Sequence, residues 1–232
     1  MTGRDLLVSV EGLRISIPTD DGSAEVLDHV DLSIPRGGIV GVVGESGCGK
    51  STLVRAVLGI LPKAARVASG RVVYDGEDLF HLSQLELTRR IRGKEIAFIP
   101  QDPYLAFNPL FTVGTQLLEI MRWHGRDDAN GGGGRRAHRA RLIELLRAVQ
   151  IPDPEAALAR YPHQFSGGQR QRLLIAGALL PRPRLVIADE PTSALDVTTQ
   201  LQILRLLRDL TRQFGVSMLL VTHDFGVVAQ LC

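Results

Sequence analysis

The chain is too poor in cysteine to be held by disulfides: Cys48 and Cys232 are the only two in 232 residues. They carry no metal-ligand spacing, and they suit a reducing, cytoplasmic setting. An excess of one charge is missing too. Lys and Arg number 27 against 25 Asp and Glu, a formal net charge of +2, which gives little electrostatic footprint for nucleic acid. Long apolar runs are absent. The longest, Leu173 to Leu180, has the length of a core helix or strand and falls well short of the ~18 residues that span a bilayer. The N-terminal MTGRDLLVSVEG has no apolar stretch of the signal-peptide kind. Any membrane role must therefore come through a partner. What is present is an ordinary globular balance, 44% hydrophobic and 22% charged. That is enough for a full core in one large domain or two small ones.

Along the chain, Leu6 to Ile17 reads as an edge strand, followed by a turn cluster at Thr19 to Ser23. Val26 to Ile34 is a second strand, closed by Pro35-Arg36-Gly37-Gly38. The short apolar run Ile39 to Val43 has the look of a strand buried on both faces. Lys50 to Leu61 then reads as a helix stopped by Pro62. Leu105 to Trp123 and Arg136 to Val149 carry helical spacing, with Leu142, Leu145, Leu146 and Val149 on one stripe. Between them Gly131 to Gly134 reads as a flexible surface loop. Arg135, Arg136, Arg139 and Arg141 read as a solvated helix face, with contact to phosphate or acidic lipid as the other reading. Leu185 to Ala188 is a buried strand, Val197 to Phe214 a helix with Leu201, Leu204, Leu207 and Leu210 inward, and Val216 to Val221 another strand. Strands alternating with helices predict an α/β fold with a mostly parallel sheet covered on both faces.

Three local patterns carry chemistry. Gly44-Glu45-Ser46-Gly47-Cys48-Gly49-Lys50-Ser51 fits G-x-x-x-x-G-K-[ST] between a strand and a helix, the context that separates this motif from a chance glycine turn. Glycines let the backbone wrap a phosphate and aim N–H groups at it, and the helix start adds its positive dipole end. Lys50 is placed to reach β- and γ-phosphates, and the Ser51 hydroxyl to ligate magnesium. The loop, through Thr52, is therefore a nucleoside triphosphate and magnesium site. Next, Asp189 and Glu190 end the strand Leu185 to Ala188. Alone they are a common strand-end charge pair. Downstream of a phosphate loop, Asp189 suits magnesium binding from the second shell and Glu190 suits polarising the attacking water as general base. Finally, Ser166-Gly167-Gly168-Gln169 opens a helix. Ser166 and Gln169 have capping-box spacing, whereas the double glycine exceeds what a cap needs and leaves bare N–H groups, a second anion site. A single triphosphate at the first loop has no use for that second site.

Taken together, Gly44 to Thr52, Gln101, Phe165-Ser166-Gly167-Gly168-Gln169, Asp189-Glu190, Ser193-Ala194-Leu195-Asp196 and His223 appear in an order that resembles the nucleotide-binding domain of an ABC transporter over nearly the whole chain. The resemblance implies one ATP-binding domain over residues 1–232, with a P-loop NTPase core lobe at 1–100 and 181–232, an antiparallel N-terminal β region, and an α-helical subdomain inserted at 101–180. It implies a head-to-tail dimer with two ATPs sandwiched between the phosphate loop of one subunit and the signature helix of the other, where Ser166 and Gly168 hold the γ-phosphate across the interface. By the same resemblance Gln101 senses magnesium and water, His223 contacts the γ-phosphate, and Asp196 communicates across the dimer. Gln101-Asp102-Pro103 with Asn108-Pro109, Tyr161-Pro162-His163-Gln164, Leu195-Asp196-Val197-Thr198 and Thr222-His223-Asp224-Phe225-Gly226-Val227-Val228-Ala229 look like the dipeptide, oligopeptide and nickel importer branch. The partners implied are integral-membrane permease subunits, a second ATP-binding subunit and an extracytoplasmic solute-binding protein, with no nucleic acid, at the cytoplasmic face of the membrane.

The chain departs from the family pattern in three places. Phe165 stands where leucine is usual. Ile17 stands where an aromatic is expected to stack on adenine, which weakens base selectivity. The chain stops at Cys232 where the family continues, so a truncated C-terminal end is expected. The rival reading is a soluble ABC-type ATPase acting on nucleic acid or ribosomes; such proteins carry basic stretches, coiled coils or duplicated cassettes, none of which is seen. A regulatory module without hydrolysis is opposed by the intact Lys50, Glu190 and His223.

Overall fold

The structure is a computed structural model that describes residues 5–19, 22–125 and 134–231. The first three glycines of the Gly131 to Gly134 loop, Asp20 and Asp21 of the turn cluster, and Cys232 lie outside the described residues.

An antiparallel hairpin comes first: β1 (Leu6–Thr19) pairs with β2 (Gly22–Pro35). β3 (Ile39–Val43) leads through the glycine loop into α1 (Lys50–Leu58). β4 (Arg66–Tyr74) and the short β5 (Glu77–Asp78) return to the first sheet. A single turn, α2 (Gln84–Glu86), precedes β6 (Ile96–Ile99). Four helices follow: α3 (Val113–His124), α4 (Arg135–Ala148), α5 (Pro154–Ala157) and α6 (Gly167–Leu179). Then come β7 (Leu185–Asp189), α7 (Val197–Phe214), β8 (Ser217–Thr222) and α8 (Phe225–Leu231).

The antiparallel sheet has the order β2-β1-β4-β5 and the parallel sheet the order β3-β8-β7-β6. Two expectations change here. β1 is an inner strand, not an edge, because β4 pairs along its other side; the polar run Arg66 to Arg71 conceals that strand. β3 is half-buried throughout and is one of the two outer strands of the parallel sheet among the described residues, with β6 the other. The strands fully enclosed by neighbours are β7 and β8.

β7 and β8 explain the layering. Their side chains alternate between faces. Val186, Ala188, Met218 and Leu220 enter one core with α3, α4, α6 and α7. Leu185, Ile187, Leu219 and Val221 enter the other, with α1 and the antiparallel sheet. Each buried Val, Leu, Ile or Met side chain there contributes about 1.5–3 kcal/mol. The parallel sheet is thus the shared middle layer.

Helix ends follow local chemistry. α1 stops at Leu58, earlier than Pro62, because Gly59 takes a left-handed conformation (φ 65) and its N–H caps the Ala56 carbonyl. α3 begins only at Val113, since Pro109 disfavours helix at the residue before it and the Thr112 side chain accepts from Thr115 N as the cap. α7 has the expected limits, although Leu201 is only half-buried and Ile203 and Leu206 share the inward face.

Candidate functional site

The carboxyl ends of the four parallel strands lie side by side, with Val43 opposite Thr222, Asp189 opposite Val221, and Ile99 opposite Ala188. The residues just past those ends are the glycine loop from Gly44, Gln101, Glu190 and His223. Topology therefore delivers four sequence-distant motifs to one edge, the usual place for a ligand in such a sheet. They line a cavity of about 680 Å³ bounded by Val26, the loop from Gly44 to Thr52 apart from Cys48, Gln101, Asp189, Glu190, His223 and Phe225.

The loop wraps tightly before α1. Gly49 caps the helix with φ 96, and a Cβ there would lie 2.7 Å from the Val26 carbonyl oxygen, so only glycine fits. Lys50 is buried, at 9% exposure. Its Nζ donates to the Gly44 and Glu45 carbonyls at 2.6 Å each and lies 3.7 Å from Cys48 Sγ. The loop thus holds an ammonium with its own backbone oxygens, groups that a phosphate oxygen can replace. Cys48 itself is exposed. Ser51 and Thr52 follow in the first turn of α1 and face the same cavity.

Opposite Lys50 stand the carboxylates. The Asp189 carboxyl is pushed above its ordinary range by burial, and further by the neighbouring Glu190 charge, with Lys50 and Arg55 opposing. Glu190 has a left-handed backbone (φ 46), sparsely populated for a non-glycine residue. Hydrogen bonds fix it: its N–H donates to the Val221 carbonyl at 2.8 Å, and its own carbonyl accepts from Ser193 N at 3.2 Å and Ser193 Oγ at 3.1 Å. Both side-chain oxygens are engaged. Gln101 Nε2 donates to Oε2 at 3.0 Å, and His223 Nδ1 lies 3.2 Å from Oε1. Ser51, Gln101 and Asp189 supply a hydroxyl, an amide and a carboxylate, a hard oxygen donor set that suits magnesium.

The remaining sequence candidates lie elsewhere. Ser166, Gly168, Gln169 and Asp196 do not line this cavity. Ser166 caps α6 in a reciprocal box, accepting from Gln169 N at 3.2 Å while its own N–H donates to Gln169 Oε1 at 3.1 Å. Asp196 caps α7, accepting from Thr199 N at 3.0 Å and from Thr199 Oγ1 at 2.7 Å, and these bonds hold its carboxyl below the ordinary range. A Cβ on Gly168 would meet Thr199 Cγ2 at 2.7 Å, so the two caps adjoin. Ile17 sits in β1 opposite Ala24, half-buried, and is not among the cavity residues. Val26 and Phe225 are cavity residues that sequence reasoning did not single out as ligands; the string Thr222-His223-Asp224-Phe225 offered a signal for the second, and an apolar strand residue offered none for the first.

The sequence profile described as ABC transporter matches residues 27–193. Over 226 residues the chain is 45% identical to the dipeptide transport ATP-binding protein DppD of Bacillus subtilis, covering 97% of this chain and 65% of that protein. It is 40% identical over 226 residues to the oligopeptide transport ATP-binding protein OppD of Haemophilus influenzae, covering 97% of this chain and 68% of that one. The chain thus spans about two-thirds of the length of these relatives. Among solved structures, a dimeric ATP-binding cassette in a post-hydrolysis state, bound to ADP and Pi, superposes with a TM-score of 0.78 at 31% identity, covering 95% of this chain and 89% of that one.

Proposed function

This chain belongs to the ABC transporter family, and from that premise we propose that it binds ATP with magnesium and hydrolyses it to drive a peptide importer. The observation that carries the reading is the convergence on Glu190: Gln101 and His223 hold its two oxygens at 3.0 and 3.2 Å, in a cavity whose floor is the phosphate loop and Lys50.

Each residue then has a task. Lys50 exchanges the Gly44 and Glu45 carbonyls for β- and γ-phosphate oxygens. The N–H groups from Gly47 to Thr52 cradle the phosphates at the start of α1. Ser51, with Gln101 and Asp189 nearby, holds magnesium, which when bound neutralises phosphate charge. Glu190 orients and deprotonates the attacking water as general base, and His223 and Gln101 fix its carboxylate. Val26 and Phe225 wall the cavity with apolar surface; Ile17, beyond it, supplies no ring for adenine.

Ser166, Gly168, Gln169 and Asp196 serve a second copy or a related ATP-binding subunit. In a head-to-tail dimer the α6 start of one chain closes over the ATP of the other, so binding closes the dimer and hydrolysis reopens it. The dimeric cassette with ADP and Pi supports that arrangement. In this reading α3 to α6 form a helical subdomain at about 101–180. An apolar cavity of about 380 Å³, lined by Phe98, Phe107, Leu117, Ile120 and Leu174, lies beside exposed Leu105, Leu110 and Phe111. That surface receives a helix of the permease. No helix of the described residues is long and apolar enough to cross a membrane; in this reading the permease holds the chain at the cytoplasmic face, and a solute-binding protein presents the cargo. Peptide is preferred to nickel as cargo because the relatives compared carry dipeptide and oligopeptide in their names.

Turnover tests the reading. The wild-type chain hydrolyses ATP only with magnesium, and Glu190→Gln keeps ATP affinity, loses about a thousandfold in turnover and accumulates as an ATP-bound dimer on size exclusion. Unchanged turnover in Glu190→Gln would remove Glu190 as the base.

A further inference from the structure

We propose that Tyr104 is a positioning residue that ties the Gln101–Glu190 site to the α6 start of the same chain, so that the state of one ATP site is passed to the other. The inference rests on the dimer reading above and deepens it. Tyr104 is 53% exposed, yet it is held at both ends. Its N–H donates to Asp102 Oδ1 at 2.7 Å, forming a tight turn directly after Gln101. The Arg170 guanidinium lies over its ring, 4.3 Å from the centroid.

Arg170 belongs to α6. Its Nε donates to the Pro162 carbonyl at 2.9 Å and to the Phe165 carbonyl at 3.1 Å, so it fixes the segment that enters Ser166. The Tyr104 hydroxyl also reaches that turn: a Cβ on Gly167 would lie 2.9 Å from it. The other flank of the turn is held by Leu195, 3.5 Å from the same Cβ position, and by Thr199, 2.7 Å from that of Gly168.

The α6 start is therefore gripped between two segments, each beginning at a group of the cavity. One leaves from Gln101 and the other from Glu190, and those two side chains are hydrogen-bonded at 3.0 Å. When Glu190 turns to water and nucleotide, Gln101 loses its partner and the turn Gln101 to Tyr104 is free to shift. Arg170 and Gly167 shift with it, and with them the Ser166 and Gly168 surface offered to the partner's ATP. Tyr104 does not line the cavity of its own chain.

The test compares Tyr104→Ala, Tyr104→Phe, Gly167→Ala and the Tyr104→Phe/Gly167→Ala double variant of the full chain. Binding is read with a fluorescent ATP analogue under monomeric conditions, and turnover against ATP concentration. Tyr104→Ala is expected to bind the analogue like wild type, to lose about tenfold in kcat with little change in KM, and to show a Hill coefficient falling towards 1. Tyr104→Phe keeps the ring under Arg170 and behaves as wild type. Gly167→Ala loses turnover through the clash with the hydroxyl, and Tyr104→Phe restores it. Wild-type kcat and cooperativity in Tyr104→Ala, a parallel loss of analogue binding, or no rescue of Gly167→Ala would each overturn the inference alone. A wild-type chain that neither binds the analogue nor turns over ATP overturns the proposed function, and the inference with it.

Discussion

The two glycine-rich helix starts of this chain, α1 and α6, differ in how they are satisfied. At α1 the cap is a left-handed glycine without a side-chain hydrogen bond, Lys50 is buried, and Asp189 nearby is pushed towards its neutral form by burial. At α6 the cap is a complete reciprocal box on an exposed surface, and Asp196 at the adjoining helix is held well into its charged form by Thr199. The first start opens on the cavity with a buried lysine near a carboxyl that burial disfavours in its charged form; the second is satisfied by its own chain. On the reading proposed above, the first start closes on its own chain's nucleotide and the second is the half of a site that meets a partner.

The largest test of that contrast is Lys50→Ala. It removes a buried lysine that, on the reading proposed above, exchanges backbone carbonyls for phosphate, and ATP affinity of the isolated chain should fall about a hundredfold. Calorimetric titration checks this; retained affinity would break the comparison at its stronger end. Next is Gly49→Ala. With φ 96 and a Cβ 2.7 Å from the Val26 carbonyl, it should cost about 2 kcal/mol in urea unfolding and abolish the loop's fit. Gly168→Ala also places a Cβ 2.7 Å from a neighbour, the Thr199 methyl, but Gly168 lies in a helix, where alanine gains up to about 1 kcal/mol over glycine, so its loss in unfolding should be smaller, about 1 kcal/mol, while turnover is impaired. Equal stability losses in the two variants would erase the distinction.

Much of this was legible in sequence because motif and element coincide there. The glycine loop lies between a short apolar strand and a helix, and α7 has the limits read from its leucine spacing. What was not legible depends on pairing. β4 and β5 escaped notice because Arg66 to Arg71 has weak alternation, so β1 passed for an edge. β3 looked doubly buried because its residues are apolar, yet it is half-buried throughout at one edge of the parallel sheet among the described residues. The resemblance placed Gln101, Glu190 and His223 at one nucleotide, but their mutual contacts were hidden, since only the parallel register of β6, β7 and β8 brings the two distant residues Gln101 and His223 to the Glu190 carboxylate. The contacts of Tyr104 with Arg170 and Gly167 have no sequence signal at all.

Smaller effects sharpen the weaker end. Ser166→Ala removes a cap oxygen that accepts from Gln169 N, which should cost about 1 kcal/mol in thermal or urea unfolding. Monomeric ATP binding should be unchanged, and turnover, which needs the dimer, should fall about tenfold. A loss of monomeric binding would place Ser166 in its own chain's site and contradict the comparison.

The smallest effect concerns Asp189. Burial raises its carboxyl pKa, with the Glu190 charge adding to the shift, so folding favours the protonated form. Stability from this group is present at acid pH and is lost as pH rises through the raised folded value. Asp189→Asn fixes the neutral state. Without nucleotide, the variant should melt about 2 °C above wild type at pH 7, and the gap should close as pH falls through the carboxylate range. With saturating ATP and magnesium the order should reverse, because wild type then gains binding free energy that the variant has lost. Calorimetric scans across pH, with and without nucleotide, measure both signs. A variant less stable than wild type at every pH without ligand would mean that Asp189 is structural, and that its burial is not held in reserve for a cation.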